Sequence, residues 1–418
     1  MLANRRAVSL LGCLCVQRVA KAAFPVVLVV QSVTVRGYAA AALIQGVYVA
    51  VGTFSAPLRG RLLDRVGRHR VIVPQTLLVS FLLIGFTMAL ANRSTPLALL
   101  LVAAVGAAAA SPSTDAAIRT LWRTIGTDEH QVKALHAWDS ILEEVGFLVG
   151  PALASVLMLT AGQTTALYGI VTATICGGGL VLLSRELRSA LRTRPSEPSA
   201  PITVRPARAR RVLRTLVGPI ASRELQRIVL PLILMGSVFG VVGLLAPALC
   251  AAHGRSEDAG FLLAAISLGG VIGALGYGAL KLRWSLHTRH AALGLVFSVP
   301  LLFALLADNP WALGILLVIV GLAVTPLYIN AYLMMDADIP DAAIHEANTW
   351  VPVGNNVGYI TGITIAASLL GQHHITAGLI AVTVLAAIFA FYSTFQLLRA
   401  NRSVTATGTN PNEAAVSA

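Results

Sequence analysis

The sequence predicts an all-α polytopic membrane protein of twelve transmembrane helices in two pseudo-symmetric six-helix bundles. Three observations lead there. Of 418 residues, 56% are hydrophobic and 12% charged, against about 25% charged in an ordinary globular chain, and mean hydropathy is +0.78. Apolar runs of roughly the 20 residues needed to cross a bilayer recur along nearly the whole chain. Lys and Arg, finally, crowd into alternate connections between those runs.

Taken in order, the first six spans lie near 8–33, 38–58, 71–91, 96–117, 135–160 and 165–183. The second six lie near 227–251, 259–280, 290–307, 310–333, 347–370 and 374–398. An N-terminal bundle, 1–183, is thus separated from a C-terminal bundle, 227–399, by a linker, 184–226, rich in Arg, Pro and Ser. The small, polar tail 400–418 is expected to be disordered. The apolar run before Leu10-Leu11-Gly12-Cys13 is only about six residues, shorter than a signal-peptide core, so the first span is read as a membrane helix. Cys13, Cys15, Cys176 and Cys250 all sit in apolar runs without metal-ligand spacing, and neither a metal nor a cofactor is expected.

Charge orients the chain. Of 31 Lys and Arg, Arg18 and Lys21 lie inside span 1, and Arg36, Arg93 and Arg255 fall on one side. The other 26 fall on the opposite side, many of them in the linker. Positive connections stay cytoplasmic, so the linker and both termini are expected inside a cell (inner or plasma) membrane. The net charge of +13 is then a topology signal, with no nucleic-acid partner implied.

The halves also repeat. Trp138, Gly146 and Gly150 of span 5 match Trp350, Gly358 and Gly362 of span 11 at one offset of 212. Gly52 and Gly60 of span 2 match Gly270 and Gly278 of span 8 at an offset of 218. Parallel six-span repeats place a substrate site between two halves.

The connection after span 2 is the densest polar block: Arg59 to Arg70 holds five arginines, His69 and Asp64. Gly60, Asp64, Arg65, Gly67, Arg68 and Arg70 fall in the order Gly-x-x-x-Asp-Arg-x-Gly-Arg-Arg, with His69 at a position where a basic residue is common. This block resembles the loop between helices 2 and 3 of the major facilitator superfamily of transporters, and the resemblance extends over residues 8–399. It implies a transporter working by alternating access, no enzymatic activity, and a gating role for those residues. Asp64, at the C-terminal end of span 2 where the helix dipole disfavours an acid, needs a counter-charge. Two partners stay open: Arg68, linked to Asp115 near the end of span 4, or the N-terminus of span 11 near Glu346-Ala347-Asn348. The equivalent connection of the second half, from Lys281, lacks the aspartate.

Span 1 carries Gln17, Arg18 and Lys21. Two cations near a helix centre cost about 5–7 kcal/mol on insertion scales, and being three residues apart they share a face. The acids available are Asp139, Glu143 and Glu144 of span 5, with Asp139 near the boundary and the glutamates a turn deeper. Either Arg18 or Lys21 exchanges partners between a glutamate and the substrate as that glutamate is protonated, or a permanent ion pair orders the bundle. Gly146 to Ser155 of span 5, with Pro151, resembles the Gly-Pro signature of drug and metabolite exporters in the superfamily, Ala154 and Ser155 replacing its last glycines. Span 4 lacks the embedded arginine of many such exporters. In the second half Tyr328, Asn330, Trp350 and Asn355 add neutral polarity to the candidate substrate site.

The expectation is therefore a monomeric, proton-coupled exporter of a small organic molecule, drug or metabolite. An uptake symporter for a polar or anionic nutrient is the alternative. A membrane enzyme is a remote one, since His373 and His374 have no third ligand nearby. No nucleotide-binding loop is present to supply ATP as the driving force.

Overall fold

The computed structural model describes residues 5–66, 68–112, 129–183, 222–280, 284–307, 309–339, 341–370 and 375–407. Among them every regular element is helical, and eight helical segments are long and apolar enough to cross a membrane. In such a solvent the backbone must satisfy its own hydrogen bonds, which helices do within one segment.

The first element, α1 (Arg5–Val66), is two helices in one. At Gly37 the backbone leaves helical geometry with φ 81° and ψ 174°, a region glycine enters without a Cβ clash. Phe24 and Tyr48 stack at 5.9 Å on either side of it. A straight helix would hold them about 36 Å apart, so the two arms lie antiparallel. Arg36, beside the bend, donates to the carbonyls of Asn92 (2.8 Å) and Thr95 (2.6 Å). These belong to the connection between α2 (Arg68–Ala91) and α3 (Leu97–Ala110).

Two helices complete the first set, α4 (Glu129–Ala161) and α5 (Gln163–Leu183). The second set is α6 (Arg223–Ala252), α7 (Ala259–Ala279), α8 (Leu286–Leu301), α9 (Pro310–Asp338), α10 (Asp341–Leu370) and α11 (Ile375–Thr407). Helix α11 runs on to Thr407, into the stretch expected as a disordered tail. By contacts the chain divides into two units. The first holds residues 1–204 with 246–264 and 370–373; the second holds 205–245, 265–369 and 374–418.

In the first unit α1 is the organising helix, packed against both α4 and α5. Small residues make this possible. A methyl added at Gly150 of α4 would lie 2.7 Å from the Val19 carbonyl and 2.8 Å from the Ala22 Cβ. One added at Gly146 would lie 3.1 Å from the Arg18 Cβ, and one at Gly177 of α5 would lie 3.0 Å from the Gln17 Cα. Such close backbone approach is how helices associate where hydrophobic burial offers no drive. Gln31 donates to the Thr164 hydroxyl at 3.1 Å, tying α1 to α5 further along.

In the second unit α6 is the enclosed helix, and its seam with α10 carries glycines on both sides. Gly358 and Gly362 of α10 meet Ile233 and Ser237 of α6, while Gly236 and Gly240 of α6 meet the backbone of Asn355 and Tyr359. Beyond this seam Phe297 of α8 stands between Phe239 (5.9 Å) and Phe389 (5.4 Å), filling the bundle interior.

Candidate functional site

The expected charges of span 1 meet an acid of α4, and the acid is Asp139. The Arg18 guanidinium reaches the Asp139 carboxylate at 2.7 Å and also donates to the Asp139 backbone carbonyl. Both side chains are over nine-tenths buried. The sequence reading set Asp139 at the boundary and looked to Glu143 or Glu144 for this partner. Helix geometry explains the difference. At about 100° per residue, Asp139, Gly146 and Gly150 lie within about 20° of one line. The glycine stripe that brings α1 close therefore brings Asp139 to it as well. Glu143 is turned about 40° from that line and Glu144 about 140°.

Beside the pair, within the first unit, lies a cavity of about 330 Å³; a separate one of about 370 Å³ lies within the second unit. The first unit's cavity is lined by Gln17, Arg18 and Lys21 from one arm of α1 and by Tyr48 from the other. Thr76 and Ser80 of α2 and Glu143 of α4 add further polarity. Phe24, Pro25, Val79, Leu83 and Phe147 supply apolar wall. The Thr76 and Ser80 hydroxyls already donate to backbone carbonyls of their own helix, at 2.8 and 2.7 Å, so they present oxygen lone pairs. The Lys21 ammonium is close enough to act on the Tyr48 hydroxyl. A chamber of this kind, mostly apolar with a few convergent polar groups, suits a small amphipathic molecule. Lys21 and Glu143 bring to it a cation and a carboxylate in addition to those of the buried pair.

Of the expected site residues, Gln17, Arg18, Lys21 and Glu143 are thus brought to one cavity, with Asp139 behind it. Glu144 is half-buried on α4 and does not line it. Asn330 has a different task. It is fully buried, accepts from the Tyr277 hydroxyl at 3.0 Å and donates to the Leu286 carbonyl at 2.9 Å, clamping α7, α8 and α9 together. Tyr328, Trp350 and Asn355 are half-buried on α9 and α10, and they line neither cavity.

Sequence reasoning missed Tyr48 of the second arm of α1, and Phe24 and Phe147, which stand about one turn from Lys21 and Glu143 on their own helices. It also counted Arg59 as a loop charge. Arg59 instead donates to the Ser55 hydroxyl (2.7 Å) and to the Ala108 carbonyl at the end of α3 (2.7 Å). Burial pushes its guanidinium below the usual range.

In the basic block α1 ends at Val66 and α2 begins at Arg68. Gly67 and Asp115 lie outside the described residues, as do the side chains of Asp64, Arg65 and Arg68 and the surroundings of Gly60. Arg70 is described and exposed. His373, His374 and residues 184–221 and 408–418 also lie outside them.

The sequence model of the Major Facilitator Superfamily matches residues 10–348. The chain belongs to this superfamily. Solved structures agree on the fold. An inward-facing bacterial homologue of the iron transporter ferroportin superimposes with a TM-score of 0.72 at 14% identity, covering 93% of this chain and 98% of that one. A peptide transporter, POT, gives 0.69 at 16%, covering 95% and 94%. The nucleoside transporter NupG gives 0.68 at 15%, covering 95% and 99%. No curated protein sequence matches. As a superfamily member the chain is a multi-pass membrane protein and a secondary transporter working by alternating access.

Proposed function

We propose that this chain is a proton-coupled exporter of a small amphipathic organic molecule, a drug or metabolite, with the cavity of the first unit as its binding chamber. The supporting observation is that Lys21 and Glu143 open onto one apolar-walled cavity beside the buried Arg18–Asp139 pair. The pair fixes α1 against α4. Glu143 is the group that gains and loses a proton, and Glu144, one residue on, is the reserve carboxylate.

Export against a proton gradient requires substrate and proton to compete. Deprotonated Glu143 accepts a cationic or hydrogen-bond-donating group of the substrate, whose apolar body lies against Phe24 and Phe147. Protonation from outside ejects it. The Gly-Pro stretch around Pro151, similar to that of exporters, supports this direction. The termini and the Arg-rich linker are placed in the cytoplasm of a cell membrane by the charge rule. The block from Gly60 to Arg70, with Asp115, acts as the charged latch of the inside gate between bundles 1–183 and 227–399. The protein works as a monomer.

Lys21 favours a second reading, uptake by symport. A substrate anion on Lys21 binds better once Glu143 is protonated and no longer competes for the ammonium, so proton and substrate travel together. The two readings differ in sign. A growth-inhibition panel on a strain lacking the protein first supplies a substrate. Its binding to the purified protein is then measured from about pH 5 to about pH 8. Export requires binding that strengthens as pH rises; symport requires binding that weakens. Binding indifferent to pH in both wild type and Glu143→Gln would remove Glu143 from the mechanism.

A further inference from the structure

The second unit holds a separate cavity of about 370 Å³ between the ends of α6, α8, α9 and α11. Arg227 of α6 and Arg399 of α11 line it, with Ser285, His287 and His290 at the start of α8. None of the described residues lining it is acidic, and His287 meets the Asp338 carboxylate at 3.2 Å. Two features go beyond a basic surface. His290 is only 4% exposed, and neither ring nitrogen makes a hydrogen bond of ordinary geometry, although the Ile228 carbonyl is close enough to act on the ring. The cavity also receives the N-terminus of α8, a 16-residue helix capped by Ser285, whose hydroxyl accepts from the Thr288 amide at 3.2 Å. Next to the lining residue Ser393, Gly294 packs closely on Ser393 and Phe389.

We propose that this cavity binds the phosphate group of an anionic ligand. Guanidinium groups supply forked donors that match phosphate oxygens, the positive end of a helix favours an anion, and the buried imidazole of His290 adds a donor. Arg399 already lies over the Phe395 ring, 4.4 Å from its centroid, which orders its stem. This site shares no residue with the transport cavity and stands whatever the transported substrate proves to be. The side of the membrane rests on the orientation proposed above. At a cytoplasmic end, basic pockets between helices take phospholipid headgroups, and a free phosphate ester carries the same group.

The test uses the full-length protein in nanodiscs, with thermal unfolding followed by tryptophan fluorescence. One arm titrates inorganic phosphate at constant ionic strength in phosphatidylcholine discs. The other replaces part of the phosphatidylcholine by phosphatidylglycerol. A raised unfolding temperature in the lipid arm alone identifies a headgroup; a rise with inorganic phosphate identifies a free phosphate ligand. In either case Arg227→Gln/Arg399→Gln weakens apparent affinity by about tenfold or more, while Arg223→Gln, outside the cavity lining, leaves it unchanged. His290→Asn reads the same loss should the double variant fold poorly. No rise in either arm, or an equal rise in the cavity variants and wild type, overturns the proposal.

Discussion

The two seams that hold each unit together use one packing scheme with different chemistry. In α4, Gly146 and Gly150 meet Arg18, Val19 and Ala22 of α1; in α10, Gly358 and Gly362 meet Ile233 and Ser237 of α6. The internal offset of 212 sets Asp139 against Val351, Glu143 against Asn355 and Glu144 against Asn356. The seam with a buried ion pair thus has a counterpart in which the acid is a fully buried valine, and each deeper carboxylate has a neutral amide opposite it. The comparison teaches that the glycine stripe is sufficient to join the helices. The charges of the first seam are additions to a packing solution that works without them. That locates the proposed coupling chemistry in the first unit.

The largest effect expected is from breaking the pair on one side only. Asp139→Val leaves the Arg18 guanidinium buried without its partner and destabilises by about 3–5 kcal/mol, read as a lowered thermal unfolding midpoint in detergent. Arg18→Ile does the same to Asp139. The double variant Arg18→Ile/Asp139→Val, which copies the second seam, recovers most of that stability because both charges leave together. Recovery of stability without recovery of transport separates the pair's structural work from its functional work.

Overpacking the stripes comes next. Gly362→Ala and Gly358→Ala place a methyl against the backbone of Ser237 and Ile233 and cost about 1–3 kcal/mol. Gly146→Ala, whose methyl lies 3.1 Å from the Arg18 Cβ and 3.2 Å from its backbone carbonyl carbon, costs less, since a shift of a few tenths of an ångström relieves it. Equal costs at both seams would contradict the view that the second is the tighter.

Much of this was legible in the chain. The spans, their number and the matched glycines followed from hydropathy and from one offset, because helix packing leaves a periodic record. The partner of Arg18 was missed, the reading having looked to Glu143 or Glu144 by depth; Asp139 stands seven and eleven residues before the two glycines, on the same stripe, and the stripe outweighs depth in deciding what a helix face meets. Tyr48 was not legible, since an apolar run does not record which face of the second arm of α1 turns toward the first, and Phe147 reads as one apolar residue among many on its helix. Nor was Asn330, which resembles a ligand residue in sequence. Its acceptor and donor, the Leu286 carbonyl and the Tyr277 hydroxyl, belong to other helices and leave no trace near position 330.

A smaller structural effect follows for Arg59. Arg59→Gln removes donors from the Ser55 hydroxyl and the Ala108 carbonyl, lowering stability by about 1–2 kcal/mol. An unchanged unfolding midpoint would show that water replaces it at the end of α3.

The central claim is that Glu143, and not its amide counterpart Asn355, carries the proton. It is tested most directly by proton movement driven by substrate in proteoliposomes, comparing wild type, Glu143→Gln and Asn355→Asp. The account predicts that Glu143→Gln still binds substrate but moves no protons with it, while Asn355→Asp keeps wild-type coupling. Proton movement retained in Glu143→Gln at every imposed pH gradient would contradict it.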